Sequence, residues 1–199
     1  MGQIRAEGGK ELGLEEIRSL EERILADAKR LAELHRAQPP QQVEDYVLRR
    51  STGEVTLGEL FAGKQDLLVI HNMGTGCSYC TMWADGINGL WPHLADRAGL
   101  VLVSPDEPEV LEAFAAGRGW GFPLASAHGT SFNADLGMEH EGGSAEPGVS
   151  TFHRRDDGTI ERVANEGFGP FDLFCPTWHL IARLKDGVAG WEPQYRYDG

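Results

Sequence analysis

Basic side chains are scarce in this sequence: 18 lysines and arginines stand against 31 aspartates and glutamates, a formal charge of −13 over 199 residues. Such an excess repels phosphate backbones and anionic membrane surfaces unless a local basic patch overrides it, so neither nucleic acid nor membrane is expected as a partner. Long apolar runs are missing as well, and no stretch approaches the ~20 residues that a membrane span needs. The segment Met1-Gly2-Gln3-Ile4-Arg5, followed by acidic helix-forming sequence, has none of the apolar core of a secretory signal; a cytoplasmic location is expected. There are only three cysteines, an odd number whose spacing does not make the disulfide framework of a small secreted domain. Internal repeats are lacking too. The run Gly117-Arg118-Gly119-Trp120-Gly121 looks like a nucleotide loop but follows a helix rather than a strand, which excludes the dinucleotide-binding context.

What is present fits a globular chain: 41% apolar and 25% charged residues, in a length that suits one domain with a full core. Leu14, Ile17, Leu20, Ile24, Ala28, Leu31 and Leu34 recur at helical spacing, predicting an amphipathic helix that ends before Pro39-Pro40. It serves either the domain or a partner subunit, and a homodimer is compatible with it. Short extended pieces at 46–50 and 54–56 flank the turn Ser51-Thr52-Gly53, and 57–61 reads as a helical turn. Leu67-Leu68-Val69-Ile70 and Leu100-Val101-Leu102-Val103 suit strands buried on both faces. Between them a helix from about Cys77 to Ala95 is expected to bend or break at Gly86, Gly89 and Pro92. A helix over 107–116, a strand over 122–127, a flexible loop over 139–146, a hairpin closing at Asp156-Asp157-Gly158 and a last helix over 176–185 complete the pattern. This gives a helical extension over 1–40, an α/β domain over 41–186 and an aromatic tail over 187–199.

The strand at 67–70 leads to Gly76-Cys77-Ser78-Tyr79-Cys80. A thiol with an ordinary pKa near ~8.5 is mostly protonated at neutral pH, and only its thiolate is a good nucleophile. At the first turn of a helix, unsatisfied amides and the helix dipole favour the anion. Cys80 lies one turn on, within reach to close a disulfide or resolve a mixed one. Gly74 and Gly76 permit the tight strand-to-helix turn. A Cys-x-x-Cys pair in this strand-helix-strand context is the cue for a thioredoxin-like redox motif, with a metal site or two inert core cysteines as the alternatives.

The run Cys77-Ser78-Tyr79-Cys80-Thr81-Met82-Trp83-Ala84-Asp85-Gly86, together with Asp45-Tyr46-Val47-Leu48, Gly53-Glu54-Val55, Gly119-Trp120 and Pro147-Gly148-Val149-Ser150, resembles the thioredoxin-like family known as domain of unknown function 899. The likeness spans roughly residues 30 to 185. It implies a thioredoxin-like three-layer α/β/α sandwich with a mixed sheet, within the thioredoxin and peroxiredoxin superfamily, and it supplies no reaction. Ser78 and Tyr79 replace the Gly-Pro of thioredoxins. Pro147 falls two residues before the place of the thioredoxin cis-proline, which Val149 would hold. The Pro-x-x-x-Thr-x-x-Cys pattern of peroxiredoxins is absent.

In such a fold the helix after the hairpin starts at the dithiol end of the sheet. Cys175 would cap it, with His179 one turn later. Cys77, Cys80, Cys175 and His179 would then converge either as a redox centre, with Cys175 resolving or His179 tuning the thiolate, or as a Cys3His zinc site. The remaining reading is a buried Cys175 and a surface His179. His71, at the end of the strand, either sets the local potential or ends the strand. His35, His93, His128, His140 and His153 form no metal set by spacing, and Asp85 is a proton acceptor or a structural cap. The sequence therefore predicts a thiol-disulfide oxidoreductase or a related thiol-dependent reductase, with Cys77 attacking and Cys80 resolving. It needs no cofactor, and its partner is a protein or small-molecule thiol or disulfide. The alternative is a non-enzymatic binding module of the same fold, with or without zinc.

Overall fold

The computed structural model describes residues 13–197. The Met1–Arg5 segment and the last two residues of the tail lie outside the described residues.

The chain divides into two units at Gln38 and Pro39. The first holds helix α1, Leu14–Ala37, with Glu15 and Glu16 in its first turn and His35 and Arg36 in its last, the arrangement that complements the helix dipole. It stops where Gln38 turns extended ahead of Pro39. None of its residues is buried, and Leu14 and Leu25 expose more than 60% of their surface.

The second unit begins with β1 (Gln41–Val43), β2 (Val47–Arg50) and β3 (Gly53–Thr56). Thr56 caps α2 (Leu57–Leu60) through a reciprocal pair of hydrogen bonds with Glu59, a capping box. Then follow β4 (Asp66–His71), α3 (Ser78–Arg97), β5 (Gly99–Ser104), α4 (Pro108–Arg118), β6 (Leu124–Ser126), α5 (Phe132–Asp135), β7 (Gly148–Arg154), β8 (Ile160–Gly167) and α6 (Pro176–Ile181). One mixed sheet in the order β1-β8-β7-β4-β5-β6-β2-β3 organises them. β4, β5 and β6 run parallel, whereas β7 is antiparallel to β4 and β8 antiparallel to β7. β8 therefore runs the same way as β4 and ends where β4 ends.

Strand alternation divides the core in two. Leu67 and Val69 of β4, with Val101 and Val103 of β5, face a cluster completed by Leu57 and Phe61 near α2 and by Phe132 and Leu136 around α5. Ile70, Leu100 and Leu102 face the other side, against Trp83, Ala84 and Ile87 of α3, Leu111 of α4 and Trp178 of α6. Helices thus lie on both faces of a mixed sheet, the layered α/β arrangement expected from the sequence.

Three local expectations change. α3 runs unbroken through Gly86, Gly89 and Pro92, because packing of Trp83, Ala84 and Ile87 outweighs weak local propensity and proline costs one amide bond. The 139–146 segment is pinned by a bridge between Glu139 and Ala145, with Ala145 buried and Glu146 N bonded to Met138 O at 2.9 Å. α6 stops at Ile181 rather than reaching Lys185, and the chain continues in turns.

Candidate functional site

Cys77 occupies the cap position before α3, in extended geometry, and its sulfur accepts from the Cys80 amide at 3.1 Å. A cysteine here takes the place that serine, threonine, asparagine or aspartate commonly holds at a helix start. Its charge would meet amides already lacking partners. The thiol of Cys80 donates toward the Cys77 sulfur, and this is the largest influence; the amides of Cys80 and Tyr79 add to it. Against the cost of burial, these bring the pKa of Cys77 down to about 6. The same sharing, then burial, pushes Cys80 far above the ordinary thiol range. Cys77 is partly accessible, Cys80 is buried, and both are free thiols.

The turn before Cys77 is held from below. Gly74 adopts a φ of 107°, its amide donates to Asn72 Oδ1 at 2.7 Å, and Asn72 N donates to Val103 O at 2.9 Å. Asp106, just past β5, accepts from Thr75 N at 2.7 Å and from Ser104 Oγ at 2.8 Å. A Cβ on Gly74 would sit 3.2 Å from the Asp106 carboxylate, so this close approach needs glycine.

Aromatic side chains cover the other side of the dithiol. Trp83 and Phe168 stack with centroids 3.6 Å apart and 9° between planes; Tyr79 stacks on Trp178 at 5.8 Å. Between them lies a cavity of about 50 Å3 lined by Cys77, Cys80 and largely apolar neighbours, among them Met82, Trp83, Pro147, Phe168 and Trp178. A wider surface hollow of about 450 Å3 lies at Gln65, His153, Arg155, Asp156 and Asp157. It adjoins the opposite end of β4 and holds no nucleophile.

One carboxylate fixes the segment that carries Phe168. Asp172 accepts from Trp83 Nε1 at 2.9 Å, from Gly169 N at 3.1 Å, from Phe174 N at 2.8 Å and from Cys175 N at 2.9 Å. Sequence reasoning missed Asp172, Phe168 and Phe174. The Asp172 bonds to the 169–175 segment are local and have the form of an asparagine- or aspartate-type turn, but its partner on α3 is 89 positions away.

Cys175 does stand at the cap position of α6, where its side chain makes no capping hydrogen bond, and it is buried with Trp83 and Trp178. It does not line the cavity that holds Cys77 and Cys80. His179 Nε2 is engaged by the Asp172 carbonyl at 2.8 Å. Among the described residues no group of three or more His, Cys, Asp or Glu is placed to hold a metal ion, so the set Cys77, Cys80, Cys175 and His179 is not assembled as a zinc site. His71 borders the cavity; its Nε2 pairs with Ser150 Oγ at 2.8 Å and its ring stacks on Phe132 at 5.9 Å. Burial depresses its pKa to about 3, which keeps it neutral. Asp85 accepts from Arg118 Nε at 2.9 Å, from Arg118 Nη2 and from Trp120 Nε1 at 2.8 Å. It ties α3 to the end of α4.

Pro147 stands at the cavity, and Val149 pairs with Ile70 inside the β4–β7 ladder. No cis peptide bond occurs among the described residues. No described helix is long and apolar enough to cross a membrane.

Solved structures of similar fold include peroxidoxin BcpB from Mycobacterium tuberculosis, 25% identical, covering 64% of this chain and 84% of that one with a TM-score of 0.52. Reduced Prx3 from Vibrio vulnificus is 19% identical, covers 73% of this chain and 97% of that one, and has a TM-score of 0.57. These likenesses establish the thioredoxin fold of the peroxiredoxin kind. No curated protein matches. The chain also matches, over residues 15–187, the family described as "Bacterial protein of unknown function (DUF899)", and it belongs to that family.

Proposed function

We propose that the protein is a thiol-disulfide oxidoreductase in which Cys77 is the nucleophile and Cys80 the resolving thiol. One observation carries this reading: the sulfur of Cys77 sits in the capping position of α3, accepts the Cys80 amide at 3.1 Å, and has a pKa near 6 while its neighbour's is raised. At neutral pH one proton is shared unequally, leaving a thiolate outside and a thiol inside. The thiolate attacks one sulfur of a disulfide R–S–S–R′ and forms Cys77–S–S–R, while R′S⁻ leaves. Cys80 then attacks the Cys77 sulfur and passes its proton to the departing sulfur, so that RSH leaves and a Cys77–Cys80 disulfide remains. Two electrons have passed to the substrate, and a small thiol or dithiol protein returns them. The redox chemistry uses the sulfurs alone.

The similarity to a peroxidoxin at 25% identity supports thiol-dependent redox chemistry in general. A peroxide substrate is less well supported. Thr75 stands two residues before Cys77 rather than three, and its amide and hydroxyl both face Asp106. Protein or small-molecule thiols and disulfides are the partners in this reading, a homodimer through the apolar stripe of α1 is compatible with it, and a cytoplasmic location suits a dithiol that is returned to its reduced form.

Mass spectrometry of the protein after oxidation and re-reduction tests the proposal. A loss of two hydrogens, reversed by dithiothreitol and mapped to Cys77 and Cys80, is expected. The Cys80→Ser variant should accumulate a mixed disulfide on Cys77. Failure of either variant or parent to form a bond at Cys77 would overturn it.

A further inference from the structure

The walls of the cavity at Cys77 contain no aspartate, glutamate, lysine or arginine, in a chain where a quarter of all residues are charged. Two carboxylates stand against its aromatic residues: Asp172 is engaged by the indole of Trp83 and three backbone amides, and Glu192 is engaged by the phenol of Tyr79. Met73 stands at the rim, 42% exposed, while Met82, Trp83, Phe168 and Trp178 enclose the interior. Methionine is the adaptable residue of apolar binding surfaces. Trp83, stacked on Phe168, is held in place by its indole bond to Asp172.

We infer that this cavity selects disulfides carrying a short, uncharged aliphatic group, which it seats beside the sulfur of Cys77. The inference rests on the oxidoreductase reading above and adds the substrate class to it. A cavity of about 150 Å3 holds benzene; this one, at about 50 Å3, takes a chain of about two or three carbons. Once the mixed disulfide has consumed the thiolate of Cys77, an ammonium or carboxylate at the end of that chain would face a wall without aspartate, glutamate, lysine or arginine, and an unpaired buried charge is costly. Selection thus runs against the long-range field of the protein, whose net charge of −13 would draw in a cationic disulfide. In the reaction the seated group stays on Cys77 as the mixed disulfide, the other half leaves as its thiolate, and Cys80 then releases the seated half by forming the Cys77–Cys80 bond.

Dipropyl disulfide and cystamine test this. They match in chain length and differ in terminal charge, and each rate is divided by the rate of free dithiothreitol with the same disulfide, which removes the intrinsic reactivity of the bond. Reduced protein should prefer dipropyl disulfide by about tenfold on this scale. The Met82→Gln variant, which places an amide in the wall at similar volume, should lose most of that preference. Alkylation by iodoacetamide, small and neutral, monitors the thiolate separately. Fast alkylation with no preference for dipropyl disulfide would overturn the inference and leave the oxidoreductase reading standing. Alkylation no faster than that of free cysteine would overturn the thiolate reading on which it rests.

Discussion

The indole Nε1 of Trp83 donates to Asp172 Oδ2 at 2.9 Å, joining the helix that carries the dithiol to the segment that carries Phe168. The same carboxylate receives three backbone amides from residues 169 to 175. Replacing Asp172 with alanine strands these donors, and each unsatisfied group costs about 1 to 3 kcal/mol when water cannot reach it. Because Asp172 is only partly buried, we expect a total loss of about 3 kcal/mol, a fall in melting temperature of roughly 6 to 12 °C for a chain of this size. Asp172→Asn, which keeps one acceptor oxygen, should fall between. Thermal unfolding followed by tryptophan fluorescence measures both.

Asp85 makes a different prediction. It receives Arg118 and Trp120 and does not line the cavity at Cys77. Asp85→Asn should lower stability by about 1 to 3 kcal/mol, since the guanidinium loses its charge partner in a half-buried site. The alkylation rate of Cys77 at pH 7 should stay as in the parent. Chemical denaturation and iodoacetamide kinetics on the same sample separate the two effects.

His71 gives the fold an acid sensitivity of known sign. Its pKa is near 3 in the folded chain and near 6.5 when unfolded. Between those values the unfolded state holds the extra proton, so stability is full above pH 6.5 and declines as pH falls toward 3. One such group contributes a slope of about 1.4 kcal/mol per pH unit. His71→Gln should be less stable at pH 7, through loss of the Ser150 bond and the Phe132 stack, but its stability should fall more shallowly with acid. Urea denaturation at pH 7, 6 and 5 compares the slopes directly.

Gly148 lies where β7 crosses between Glu166 and Met138. A Cβ there would stand 2.4 Å from the Glu166 carbonyl oxygen and 2.8 Å from Met138 Cε. The backbone atom cannot yield without shifting β8, so Gly148→Ala should cost about 1 to 3 kcal/mol. Because Pro147 next to it walls the cavity, the preference between dipropyl disulfide and cystamine should also change. Stability and the rate ratio, measured together, check this.

Much of this architecture was legible in the sequence where a local pattern decides it. The apolar runs at 67–70 and 100–103 became adjacent parallel strands, since four consecutive apolar residues suit a sheet interior covered on both faces. Cys77 could be placed at a helix start because a strand, two glycines and a Cys-x-x-Cys leave little other geometry. What escaped was set by distant contacts. Pro92 reads as a helix breaker, yet α3 persists through it because its apolar face is packed against the sheet. His179 reads as a neighbour of the dithiol, yet the Asp172 carbonyl takes its ring nitrogen. The cage of Trp83, Phe168 and Phe174 joins residues about 90 positions apart and leaves no periodic trace.

The dependence of Cys77 on its neighbour can be tested by removing the Cys80 thiol. In Cys80→Ala the largest influence on the Cys77 pKa is gone, while the amides of residues 79 and 80 remain. The midpoint of Cys77 alkylation should rise by one pH unit or more and still stay below that of free cysteine. A titration of alkylation rate with that variant reads the shift.

The most direct test of the central claim is the alkylation rate of Cys77 against pH in the reduced Cys175→Ser protein, where only the dithiol remains. Iodoacetamide should react with Cys77 along a single curve with its midpoint near pH 6, level by about pH 7.5. A rate that instead climbs through pH 8.5 as for an ordinary thiol would contradict the account, because no capping interaction would then be favouring the thiolate.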